Sequence, residues 1–118
     1  MIRNGLIETF VKTVLDGDDA LYKRNDHQTH NRLYKETVRI ANEIMKADGS
    51  LRLLLPLLSS SAISVRSRIA ALLLADQPEI AVPVLEECAK DSSLSGFGAK
   101  TLLEEFRAGR HNPNWWKK

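Results

Sequence analysis

The chain has 118 residues, 43% of them hydrophobic and 27% charged, for a net charge of +2; this is the length of one globular domain, and the balance excludes wholesale disorder. Aromatic residues make up only 6%, so the core has to be aliphatic, which suits helix packed on helix. Apolar runs such as Leu53 to Leu58 are far too short for a bilayer span, which excludes a membrane helix.

Leu6, Ile7, Phe10, Val11, Val14 and Leu15 recur at three- and four-residue spacings and predict an amphipathic helix over residues 4–15. Asp16-Gly17-Asp18-Asp19 predicts a break, with Asp18 capping a short helix through Ala20, Leu21 and Tyr22. Asn25 or Asp26 is the candidate cap of the longest helix, residues 27–47. Its core stripe is Leu33, Val38, Ile40, Ala41, Ile44 and Met45, and Arg32, Lys35, Glu36, Arg39 and Glu43 face outward. Asp48-Gly49-Ser50 ends it, with Gly49 as a left-handed stop. Four shorter helices follow near 50–58, 62–75, 78–90 and 94–108, punctuated by Ser59-Ser60-Ser61 and Asp76-Gln77-Pro78. Pro78 suits a first helical turn, whereas Pro56 and Pro83 fall inside their helices and should kink them or confine regular hydrogen bonding to one side. Gly109 closes the last helix. The expected organisation is a single helical-repeat domain over residues 1–108, with a basic, Trp-containing tail over 109–118.

The second half of the chain echoes itself. Pro56 recurs as Pro83, 27 positions on, and Ala70, Leu73 and Leu74 recur as Ala99, Leu102 and Leu103, 29 positions on. A period just under thirty, holding two short apolar helices with a proline in the first, marks a stacked helical hairpin, which cannot bury its apolar face without a neighbour.

The repeated pair Leu-Leu-Pro-Leu-Leu, then Val-Arg-x-x-x-Ala-x-x-Leu, resembles HEAT repeats. A second likeness covers nearly the whole chain. His30-Asn31-Arg32-Leu33-Tyr34-Lys35, Leu55-Pro56-Leu57-Leu58, Val65-Arg66, Pro83-Val84-Leu85-Glu86-Glu87 and a closing Leu102 through Arg107 to Gly109 are similar to the small bacterial family called domain of unknown function twenty-nineteen. That resemblance implies an all-α, HEAT-like α-α superhelix of about three helical hairpins. It carries no established activity and no catalytic residues, and members look like accessory or immunity-type proteins of bacterial competition systems. Trp115-Trp116-Lys117-Lys118 matches no motif of the family.

Candidate chemistry is sparse. His27 and His30, three apart on one helix beside Asp26, have the spacing of a two-ligand metal patch, but a stable site needs a third or fourth ligand, for which Asp16, Asp18 and Asp19 are the candidates. Asp16-Gly17-Asp18-Asp19-Ala20 begins like a calcium loop, yet has Ala20 at the fifth position and His27 at the twelfth, where such a loop needs a glutamate. Cys88, the only cysteine, follows Glu86-Glu87 near a helix end, where the dipole and both carboxylates raise a thiol pKa; it reads as an inert, partly buried thiol. Glu104 and Glu105 are adjacent on a helix and diverge by about 100°, so they cannot share a substrate atom. No phosphate loop, nucleophile elbow or Cys-x-x-Cys occurs. These readings call for no enzyme, no cofactor and no metal.

Binding residues are the alternative. Arg66 and Arg68 begin the second helix of the first hairpin, where Arg66 suits a ladder contact between stacked hairpins or a partner contact. Asn31 and Tyr34, beside Arg32 and Lys35, form a polar patch, or else Asn31 ties down the Asp16–Asp19 segment with Tyr34 half-buried. Trp115 and Trp116 either fold back or self-associate, or are held for a partner. Arg107, Arg110, Lys117 and Lys118 lie in the last twelve residues, where no acid occurs, and removing four positive charges from +2 leaves a body of −2. That distribution is not the continuous basic stripe of a nucleic-acid binder. Arg3, Glu8 and Lys12 interrupt the N-terminal apolar residues and argue against a signal peptide. The expectation is a cytoplasmic, non-catalytic protein-binding module that occludes a partner such as a bacterial toxin. The alternative is a nucleic-acid-binding or base-processing HEAT-like domain, as in alkylpurine glycosylases, using the basic tail and the Trp pair.

Overall fold

A computed structural model describes residues 2–117. Among these residues there are six helical elements and no strand, so the all-α expectation holds: α1 (Ile2–Tyr22), α2 (His27–Asp48), a 3-10 helix (Arg52–Ser59), α3 (Ile63–Leu73), α4 (Pro78–Ala89) and α5 (Leu94–Arg107). The chain forms two compact units, one ending at Leu54 and the other spanning Leu55–Lys117.

In the first unit α1 packs on α2. Phe10, Val14 and Ala20 of α1 are buried, as are Thr37, Ile40, Ala41 and Ile44 of α2, at the three- and four-residue steps of one helical face. The expected break at Asp16–Asp19 does not occur; α1 runs through it to Tyr22. Gly17 lies on the face turned to α2, where its carbonyl accepts a hydrogen bond from His30 Nδ1 at 2.9 Å, and Lys12–Asp16 at 2.7 Å and Lys23–Asp19 at 3.4 Å are i,i+4 ion pairs along the helix. Packing against α2 outweighs the weak helix propensity of Gly and Asp. The start of α2 is set by Asp26, whose carboxylate accepts the Thr29 N–H at 3.0 Å, and by Asn25 at φ 51°, a left-handed position that asparagine tolerates well. Its end is set by Gly49, at φ 78°, which donates its N–H to the Met45 carbonyl at 2.7 Å.

In the second unit α3 packs on α4, α4 on α5, and α3 also on α5. Its buried aliphatic side chains include Val65, Ile69, Leu72 and Leu73 of α3, Leu85 of α4 and Leu103 of α5, each contributing roughly 1.5–3 kcal/mol on burial; against the expectation of a purely aliphatic core, Trp116 is buried in this unit as well. The α-helix expected at 50–58 is instead the 3-10 helix Arg52–Ser59. Pro56 has no N–H to give and its ring opposes the carbonyl four residues back, which leaves the tighter, shorter form. Around Pro83 the outcome differs: α4 continues as one α-helix from Pro78, at its first turn, to Ala89. α5 opens on Ser93, whose hydroxyl accepts the Gly96 N–H at 3.1 Å. Gly96 is required there, because a Cβ would lie 2.0 Å from the Asp91 carbonyl oxygen.

Candidate functional site

The α1–α2 end of the first unit holds a cleft of about 450 Å³. Asp16 and Asp19 form one wall, and Thr29, Arg32 and Leu33, on successive turns of α2, form the other; Lys23 and Arg24 close its end. Asp16 is neutralised by Lys12, and Asp19 by Lys23. Arg24 and Arg32 are exposed, and among the described residues neither makes an ion pair.

The two histidines beside this cleft work on the backbone and the turn. His27 Nε2 donates to Asn25 Oδ1 at 3.0 Å, bracing the left-handed residue, and His30 Nδ1 donates to the Gly17 carbonyl. No group of three or more His, Cys, Asp or Glu that could hold a metal ion occurs among the described residues. The tie to the Asp16–Asp19 segment, one of the two readings of Asn31 above, is made by His30 one position earlier; Asn31 is exposed and Tyr34 half-buried. Tyr34 lends its carbonyl to the hydroxyl of Thr37 at 2.6 Å, a buried polar side chain that an apolar-stripe reading passes over.

On α3 of the second unit, Arg66 donates from Nη1 to the Ser60 carbonyl at 2.6 Å and faces the Cys88 thiol and Asp91. Arg68, two positions on, is half-buried. Arg66 therefore links the segment before α3 to the end of α4, a structural tie. Cys88 is wholly buried, and burial pushes its thiol above the ordinary cysteine range despite the opposing field of Arg66; the thiol is protonated at neutral pH and inert.

Two exposed residues escaped the sequence reading. Leu94 is 60% exposed and Phe97 68% exposed, one turn apart at the start of α5. The buried positions of that helix are Gly96, Ala99 and Leu103. Phe97 stands about 200° from Ala99 at 100° per residue, so a phase comparison along α5 could have set it on the open face.

The C-terminal segment does not stay a loose tail. It turns over residues 113–116, with the Trp115 N–H bonded to the Asn112 carbonyl and the Lys117 N–H to that of Asn114. Trp116 is 1% exposed and Trp115 37%, so of the two only Trp115 presents a surface. Trp116, set above among the partner-contact candidates, is a core residue. The basic residues here are engaged as well: Arg107 with Glu86 at 2.8 Å, Arg110 with Glu105 at 2.7 Å and Lys117 with Asp76 at 2.8 Å.

No helix among the described residues is long and apolar enough to cross a membrane. A family model, Domain of unknown function (DUF2019), matches residues 4–106. The chain is also similar to a solved structure, the crystal structure of the protein RPA1889 from Rhodopseudomonas palustris CGA009, at 30% sequence identity and a TM-score of 0.85, with 96% of this chain and 94% of that one covered. No match is found among curated proteins.

Proposed function

Because the chain belongs to the Domain of unknown function (DUF2019) family, which brings no assigned chemistry with it, we propose from its surfaces that it is a non-catalytic protein-binding module of HEAT-like hairpins, acting in the cytoplasm by occluding a partner, with a bacterial toxin as one such partner. The observation that carries this reading is the Leu94–Phe97 pair. Two large apolar side chains, 60% and 68% exposed and one turn apart, present a contiguous apolar patch on a rigid helix, the kind of anchor that a partner's pocket desolvates. The HEAT-like part draws support from the repeat: Ala70 and Ala99, and Leu74 and Leu103, are buried at matching positions 29 residues apart, while Pro56 and Pro83 are both exposed.

The nucleic-acid alternative asked the basic end and the Trp pair for phosphate contacts and stacking. Arg107, Arg110 and Lys117 each face a carboxylate and Trp116 is buried, which takes most of that apparatus away.

The test is affinity capture from the native lysate with the tagged chain and with Leu94→Ser/Phe97→Ser, read by mass spectrometry. Both side chains are exposed, so the variant keeps its fold. One stoichiometric protein captured by the parent and lost from the variant is the expected result. Equal capture by both, or none by either with the neighbouring genes expressed, overturns the reading.

A further inference from the structure

We propose that the outer face of α1 docks antiparallel on the same face of a second copy of this chain. The contact lies on a different helix from the Leu94–Phe97 pair and does not depend on that reading. At 100° per residue, Glu8, Lys12, Leu15, Asp19, Tyr22 and Lys23 fall within about 100° of arc, opposite the buried Phe10, Gly17 and Ala20. All six are exposed. Leu15 is 41% exposed and Tyr22 49%, two turns apart, so α1 carries an apolar strip that its packing on α2 leaves uncovered.

The order of charge along the strip selects the occupant. From Glu8 to Lys23 the exposed ions run acid, base, acid, base, with Leu15 near the centre. Reversing the direction of such a helix sets Glu8 opposite Lys23 and Lys12 opposite Asp19, and Leu15 meets its own copy beside the two-fold axis. An in-register parallel partner would instead set each charge against its like. The strip is therefore complementary to itself in the antiparallel orientation. Asp16 and Asp18, half-buried at its margins, come opposite Leu15 and Thr13, so no acid directly faces an acid.

Glu8 makes no ion pair among the described residues. Lys12 and Lys23 already hold Asp16 and Asp19, but on solvent-exposed side chains, where isolated pairs contribute little. An ammonium has three donors, so Lys12 can hold its own Asp16 and Asp19 of the second copy together. The separate pairs then join into one alternating network across the contact. A single helix strip covers less than the roughly 800 Å² per partner of a standard interface, so the dimer is weak and driven by concentration.

The experiment is sedimentation equilibrium on the full chain from about 10 µM to about 1 mM. A monomer–dimer equilibrium with a dissociation constant on the order of 0.1 mM, weakened by added salt, is expected. Two charge variants accompany it: Glu8→Lys/Asp19→Lys makes the strip wholly basic, and Lys12→Glu/Lys23→Glu makes it wholly acidic. The substituted side chains are exposed, and far-UV circular dichroism checks that each variant folds. Each alone should be monomeric, and the mixture should form a heterodimer roughly tenfold or more tighter than the parent dimer. Disulfide crosslinking reads the orientation. Leu15→Cys should give a covalent dimer and Tyr22→Cys none, because the two copies of position 22 stand about 20 Å apart along the helices; Cys88 is wholly buried and does not compete. A chain that stays monomeric to about 1 mM, variants that dimerise alone or fail to pair when mixed, a crosslink through Tyr22→Cys, or a dimer abolished by Leu94→Ser/Phe97→Ser each overturns the proposal.

Discussion

Gly96 and Gly98 sit two positions apart on α5 under different constraints. At Gly96 a Cβ would meet the Asp91 carbonyl oxygen at 2.0 Å and the Cys88 carbonyl oxygen at 2.9 Å, while at Gly98 nothing lies within 4 Å. Both obstacles at Gly96 are backbone atoms, so Gly96→Ala has to displace the turn before α5, and we expect a loss of more than about 2 kcal/mol in urea unfolding. Gly98→Ala, exposed in the helix interior, should gain about 0.5–1 kcal/mol. The two tryptophans divide in the same way. Trp116→Ala empties a site at 1% exposure and should cost about 3–5 kcal/mol, whereas Trp115→Ala should cost under about 1 kcal/mol; the blue-shifted part of the intrinsic fluorescence should leave with Trp116 alone.

At the scale of elements, α1 and α2 divide what the sequence made plain from what it did not. The Asp26 cap, the Gly49 stop and the Ile40–Ala41–Ile44 stripe were legible because capping and amphipathic periodicity are local properties. The continuity of α1 through Asp16–Asp19 was not, because it depends on a carbonyl met by His30 from thirteen residues away. Gly17 tests this. A Cβ there would lie 3.6 Å from His30 Nδ1 and 3.7 Å from Leu33 Cβ, ordinary contact distances, so Gly17→Ala should stabilise the protein by about 0.5–1 kcal/mol in denaturant melts; a helix broken at that point would show no gain. The cap of α2 makes a pH prediction. Its hydrogen bond from Thr29 holds the Asp26 carboxyl below its ordinary value of 3.8. A depressed folded-state pKa contributes stability that is present above the unfolded value and lost as pH falls through the folded one. Amide protection in the first turn of α2 should therefore decline on acidification below pH 3.8, and Asp26→Asn, which still caps, should remove that dependence.

For the molecule as a whole, membership of the family was readable from short motifs spread along the chain, and the all-helical class from periodicity. The exposed apolar pair on α5 was not. Phe97 escaped the sequence reading, and only the phase of α5 around Gly96, Ala99 and Leu103 places it on the open side. Trp115 and Trp116 drew attention by residue type, yet exposure depends on how the turn at 113–116 folds, which tertiary packing decides. The charge of the C-terminal end misled in the same manner, since its acidic counterparts Glu86, Glu105 and Asp76 lie outside the last twelve residues and reach it only in the folded chain.

The most direct measurement replaces Phe97 with the photo-crosslinking residue p-benzoylphenylalanine in the native host, with the same replacement at exposed Pro83 as the comparison. If α5 carries the partner contact, irradiation should give one adduct of discrete mass from position 97 and none from position 83. No adduct at position 97, or the same adducts from both positions, would contradict the account.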